Sequence, residues 1–136
     1  MKKINQKKGV FVYINYLLTN AKNKTIEYLK ENPKETRIHF KDVLWISTEN
    51  MAKNWIKIKA IKHEKLLYEN RSMVNFIRIA GKQEFCKIAK NLTVNLFHIK
   101  RKSNLAIIEL TNGDTFKVNR SYRSELRSRL LMIWEE

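Results

Sequence analysis

The residues best equipped for chemistry in this chain are cations. Lys87 and Lys90 stand before a short apolar run, Lys100, Arg101 and Lys102 follow it, and Arg120, Arg123 and Arg127 close the segment. They are interleaved with Asn91, Asn119 and Ser121. Such groups suit phosphate oxygens and base edges: ammonium and guanidinium groups hold phosphates, while Arg, Lys and Asn read the edges of base pairs in a groove. Other chemistries find little support. His39, His63 and His98 have no partners at metal-ligand spacing, no Gly-x-Ser-x-Gly elbow is present, and Gly9, Gly81 and Gly113 are too scattered to cradle a phosphate. No catalytic residue, cofactor or metal is expected, and the chain reads as a non-enzyme. His98, beside the basic triplet, reads as structural, and Cys86, between Phe85 and Ile88, as a small buried hydrophobe.

The overall charge points the same way. Among 136 residues, 28 Lys and Arg against 13 Asp and Glu leave a net +15, with no detachable basic tail. So large a surplus repels itself and calls for a polyanionic partner, nucleic acid first and an anionic membrane surface as the rival. Hydrophobic residues make up 43% of the chain, which argues for a folded domain rather than disorder. A single cysteine excludes a disulfide framework and fits a reducing, cytoplasmic compartment. Basic residues followed by Val10 to Leu18 mimic a secretory signal, but Asn15 interrupts the run, and a membrane span needs about 20 apolar residues.

These cations need positioning elements. Val10 to Leu18 reads as a strand or a helix, "NKTIEYLKE" as a helix ended by Pro33, and a boundary follows at residue 35, giving segment 1–35 and domain 36–136. The domain reads as mainly β. "WIKIKAI" alternates, with Ile56, Ile58 and Ala60 on a dry face and Trp55, Lys57, Lys59 and Ile61 on the other. "SMVNFIRIAG" reads as a helix with Ser72 as N-cap and Gly81 as stop. Asn112-Gly113 between "LAIIEL" and "TFKVN" predicts a two-residue hairpin, which would gather Lys100, Arg101 and Lys102 beside Arg120 and Arg123. Both faces of its first strand, Leu105/Ile107 and Ile108/Leu110, are apolar, so neither is expected to be wholly wet. In the C-terminal helix, Tyr122, Leu126, Leu130 and Ile133 form the inward stripe, with Arg123, Arg127 and Ser128 outward. Trp45, Trp55, Phe85, Phe97, Phe116 and Trp134 are assigned to the core rather than to base stacking.

"KIAKNLTVNLFHI" followed by "LAIIELTNGDTFKVNRSYRSEL" resembles the C-terminal half of the LytTR DNA-binding domain, the output module of bacterial response regulators. Val94-Asn95, His98-Ile99, Asn112-Gly113 and Val118-Asn119-Arg120-Ser121-Tyr122 follow the family's order, and "TRIHFKDVLWISTENMAKNWIKIKAI" is similar to its opening strands. The resemblance implies short-stranded β-sheets with a C-terminal helix, and loops entering successive major grooves of double-stranded DNA. Its DNA-contacting positions fall on Lys53, Asn54, Lys87, Lys90, Asn91 and Arg120, to which the local reading adds Lys100, Arg101, Arg123 and Arg127 as phosphate holders. Ala89, Asn91, Asn119 and Ser47 replace the family's usual His, Ser, Ser and Glu, which bears on base preference.

The resemblance further implies a bacterial transcription regulator of quorum-sensing, bacteriocin, competence or virulence genes, acting as a homodimer on repeated half-sites. Segment 1–35 is either a receiver remnant or a docking element of its own, and control without a receiver falls to expression level, a partner or dimerisation. The alternative is a truncated regulator that modulates a full-length homologue by protein interaction. No membrane partner is expected.

Overall fold

The computed structural model describes residues 11–16, 35–101 and 104–134. The helix expected over "NKTIEYLKE", the stop at Pro33 and the position of Lys102 lie outside the described residues. A seven-stranded antiparallel sheet contains β1 (Phe11–Tyr16), β2 (Glu35–His39), β3 (Val43–Ser47), β4 (Ile56–Ala60), β5 (Leu67–Glu69), β6 (Phe85–Ala89) and β7 (Leu92–Asn95), in the order β2-β1-β5-β4-β3-β7-β6. β8 (Ile107–Glu109) and β9 (Thr115–Lys117) form a separate hairpin. Helix α1 is Met73–Ala80, and α2 is Arg120–Trp134. The Val10–Leu18 stretch is thus a strand where it is described. It pairs on one side with β2 and on the other with β5, so residues 11–16 lie inside the seven-stranded sheet.

Local sequence explains the helices and the central strands. In β4 the alternation holds, with Ile56, Ile58 and Ala60 buried and Lys57 and Lys59 half-buried. The Ser72 hydroxyl accepts the Asn75 N–H at 3.0 Å, capping α1, and Gly81 ends it at φ +128°. A side chain there would be strained in its backbone and would collide with the Glu84 carboxylate. Met73, Phe76 and Ala80 face one way, and the Phe76 ring meets Phe40 and Phe85 edge-on at 5.4 and 5.7 Å.

The sheet has a core on each face. Ile38, Val43, Ile46, Ile56, Ile58 and Leu67 pack with α1 on one side. Leu44, Cys86, Ile88, Val94, Leu96, Ile108 and Val118 pack with Leu126 and Leu130 of α2 on the other. A bulge in β3 is the local reason both Leu44 and Trp45 reach the second core: the register jumps between Val43 and Trp45, so an extra residue breaks the alternation.

Two sequence expectations are corrected here. The turn between β8 and β9 has three residues, Thr111, Asn112 and Gly113, inside a Leu110–Asp114 pair, rather than two: Leu110 N–H donates to the Asp114 carbonyl at 2.8 Å and Gly113 N–H to the Leu110 carbonyl at 2.9 Å. Gly113 alone in the turn takes positive φ, at +99°, whereas a two-residue Asn-Gly turn needs it at both positions. The expectation for β8 holds: Ile107 is 54% exposed, but Leu105 packs against the α2-side core and Ile108 and Leu110 are sealed, so neither apolar set is wholly wet. Phe97 is 59% exposed, because it sits in a short 3-10 turn (Leu96–His98) that directs Leu96 inward instead.

Candidate nucleic-acid interface

Three loops meet at one end of β3, β6 and β7. The first leaves β3 at Ser47, whose buried hydroxyl accepts the Glu49 N–H at 3.0 Å. It turns through Asn50 and Asn54, both left-handed at φ 60° and 63°, a conformation that asparagine tolerates better than most residues. Trp55, only 4% exposed, anchors its far end, and Lys53 and Asn54 are left exposed. The second is the tight Lys90-Asn91 turn between β6 and β7, closed by the Ala89–Leu92 pair, with Lys87, Lys90 and Asn91 exposed. The third is the entry to α2, where Asn119 and Arg120 are exposed and Val118 is sealed.

Specific bonds hold these loops to one another. Thr48 N–H donates to the Asn91 carbonyl at 3.0 Å, and the Thr48 hydroxyl to Asn91 Oδ1 at 3.1 Å. Asn119 N–H donates to the Ile88 carbonyl at 2.9 Å, joining the start of α2 to β6. Between the loops lies a recess of about 410 Å³, with Trp45 and Phe116 at its apolar side and Glu49, Lys57, Lys90, Asn91 and Asn119 among its polar lining. The hairpin is fixed beside it by the Trp45 indole N–H, which donates to Asp114 Oδ2 at 2.9 Å, and by edge-on contact of Trp45 with Phe116 at 5.7 Å. Hydrogen bonds from Asn112 and Trp45 hold the Asp114 carboxyl below the usual carboxylate range, with Lys59 adding to the effect.

Of the residues singled out from sequence, Lys90 and Asn91 line the recess, Arg120 follows its lining residue Asn119, Lys53 and Asn54 lie on the loop bonded to Asn91, and Lys87 is exposed on β6. The cations around the hairpin are arranged differently from the gathered cluster expected. Lys100 pairs with Glu109 at 3.0 Å, the Arg101 guanidinium lies 5.7 Å from the Trp134 ring centre and donates to the Trp134 carbonyl, and Arg123 Nε donates to the Val118 carbonyl at 3.1 Å. Arg123 is therefore half-buried rather than turned outward, while Arg127 is exposed. Arg129 turns toward the start of β6, donating to the carbonyls of Phe85, at 3.0 Å, and Lys82. Sequence reasoning missed Thr48, Glu49 and Lys57 as members of this region. Alternation put Lys57 on a wet face, but its place beside the Lys90-Asn91 turn depends on both β4 and β7 pairing with Ser47.

His98 is a structural bridge. Its Nε2 donates to the Lys41 carbonyl at 2.8 Å, and its Nδ1 lies 3.1 Å from the Thr111 hydroxyl. Cys86 is buried, and burial pushes its thiol pKa up. Among the described residues, no group of three His, Cys, Asp or Glu could hold a metal ion, and no helix is long and apolar enough to cross a membrane.

The architecture has a solved counterpart. The chain is similar to the LytTr DNA-binding domain of a protein described as a methyl-accepting/DNA response regulator from Bacillus cereus, with a TM-score of 0.62 over 89% of this chain and 96% of that one, at 18% identity. The fold is thus of the LytTR type, mainly β with a C-terminal helix. No protein-family model and no curated protein matches the sequence.

Proposed function

We propose that this chain is a sequence-specific duplex-DNA-binding transcription regulator of LytTR type, bacterial and cytoplasmic, without catalytic activity. The observation that carries the reading is the bonding of Thr48 to Asn91 and of Asn119 to Ile88, which brings three polar and basic loops to one end of the sheet. The solved neighbour of the same fold is described as a DNA-binding domain. In this reading Lys90, Asn91, Arg120 and Lys53 contact base edges, with Asn54 beside them. Lys87 and Arg127 hold phosphates from exposed positions.

In this reading Lys100, Arg101 and Arg123 are further phosphate holders. Lys100 leaves Glu109 at small cost, since an exposed pair contributes about 0–1 kcal/mol. Arg101 and Arg123 also brace α2 and the hairpin through Trp134 and Val118. Two copies on repeated half-sites, and target promoters of the quorum-sensing, bacteriocin, competence or virulence kind, belong to the same proposal.

The test is an electrophoretic shift of purified chain with random-sequence duplexes, alone and in competition with heparin. Discrete complexes that resist competitor, with affinity falling steeply as salt rises, support the reading. Absence of any competitor-resistant complex with duplex refutes it.

A further inference from the structure

A second concave surface lies at the other end of the same strands and on the other face. β3 runs from Val43, next to Asn95, to Ser47, next to Leu92, and β6 runs from Phe85 to Ala89. The recess described above adjoins Ser47, Ala89 and Leu92, whereas a groove of about 710 Å³ adjoins Phe85 and Asn95. Four residues of strand at ~3.3 Å each put roughly 13 Å between the two ends. The recess is lined by Trp45 of the α2-side core, the groove by Phe40, Ala80 and Phe85 of the α1-side core.

The chemistry of the groove is amphipathic. Phe97, 59% exposed, and Ile79, 38% exposed, offer apolar surface that the described fold leaves uncovered. Lys41, Arg78 and Lys82 surround it, all exposed, and no ion pair among the described residues engages them. Glu84 is the lone acid of the lining. The floor is firm: Arg129 ties Lys82 and Phe85 to α2, and the Asn95 amide donates to the Val43 carbonyl at 2.9 Å and accepts the Phe97 N–H at 3.0 Å.

We propose that this groove docks an acidic amphipathic peptide segment of a partner protein, whose large apolar side chains cover Phe97 and Ile79 while its carboxylates meet Lys41, Arg78 and Lys82. Charge complementarity selects this occupant. A second copy of a chain with net charge +15 would bring repulsion to a basic rim, and duplex DNA would leave exposed apolar surface unmatched. Because the groove and the recess lie on opposite faces and at opposite ends, one chain can hold both ligands together. A regulator seated on DNA would in this way present a landing site for an acidic segment.

The test uses the full chain and a fluorescein-labelled synthetic peptide of about 18 residues, with Leu and Phe spaced along one helical face and Asp and Glu elsewhere. Fluorescence anisotropy measures binding at physiological salt. A control peptide carries Ser at every Leu and Phe. Phe97→Ser and the double variant Arg78→Glu/Lys82→Glu probe the groove, and Lys62→Glu/Lys117→Glu reproduces the same charge change elsewhere. Thermal melts confirm that each variant is folded.

The expected result is saturable binding of the apolar-faced peptide, weakened at least about tenfold by either groove variant and less than about threefold by the charge control, with saturating duplex not displacing it. Equal binding of the Ser peptide, no binding at all, wild-type affinity in both groove variants, or displacement by duplex would each overturn the proposal. So would self-association of the wild type that Phe97→Ser abolishes, since the occupant would then be a second copy.

Discussion

Thr48 and Asn91, 43 residues apart, are joined twice: backbone to backbone at 3.0 Å and side chain to side chain at 3.1 Å. This pair ties the loop after β3 to the β6–β7 turn. Thr48→Val keeps the shape and the backbone bond but removes the hydroxyl. The expected cost to stability is about 0.5–1.5 kcal/mol, read by urea denaturation, together with a several-fold loss of duplex affinity because the loops are no longer held in register. Unchanged affinity would show that this side-chain bond does not organise the interface.

Asn95 occupies a different structural role. It is 1% exposed, donates to the Val43 carbonyl and accepts from Phe97 N–H. Asn95→Ala leaves a buried carbonyl and an amide without their partners, for an expected loss of about 2–4 kcal/mol measured by chemical denaturation. A loss within experimental error would mean that water replaces the amide.

The Trp45–Asp114 bond has a pH signature. The Asp114 carboxyl is held below its ordinary pKa by Asn112 first and Trp45 second, so the folded state binds a proton there less readily than the unfolded chain does. Its contribution is present above the unfolded-state carboxylate pKa and is lost as pH falls through the lower folded value. Trp45→Phe, which keeps an aromatic ring without the N–H donor, is expected to reduce the acid-side loss of stability. Thermal melts from neutral to acid pH check this, and identical acid slopes for the two chains would contradict it.

Phe76 centres the α1-side core, fully buried between Phe40 and Phe85. Phe76→Ala is expected to cost about 3–5 kcal/mol, again by denaturation, through lost burial and the cavity left behind. A loss below about 1 kcal/mol would mean that the core collapses to fill the gap.

Much of the fold could be read from local pattern. The alternation of β4, the Ser72 cap, the Gly81 stop and the Leu126/Leu130 stripe all depend on neighbours within a few residues. What escaped was set at long range. The bulge that turns both Leu44 and Trp45 to one core, the pairing of β1 with both β2 and β5, and the exposure of Phe97 each require knowing which distant segment lies alongside. Part of the candidate site was legible in the same sense. Lys90, Asn91 and Arg120 carry chemistry recognisable from residue type, and the fold places their loops together. Arg101 and Arg123 were both expected to hold phosphates, yet their partners Trp134 and Val118 are supplied by packing.

The central claim is that these clamped loops read duplex sequence. It is tested most directly by selecting bound sequences from a random duplex pool with the wild type and with Arg120→Ala, followed by titration of the enriched site. The expected result is a defined motif for the wild type, and for Arg120→Ala a loss of about 1–3 kcal/mol in affinity with relaxed choice at particular base positions. Lys100→Ala, by contrast, should weaken all sequences alike and flatten the salt slope by about one. Failure of the wild type to enrich any motif, or the same motif and affinity after Arg120→Ala, would contradict the claim.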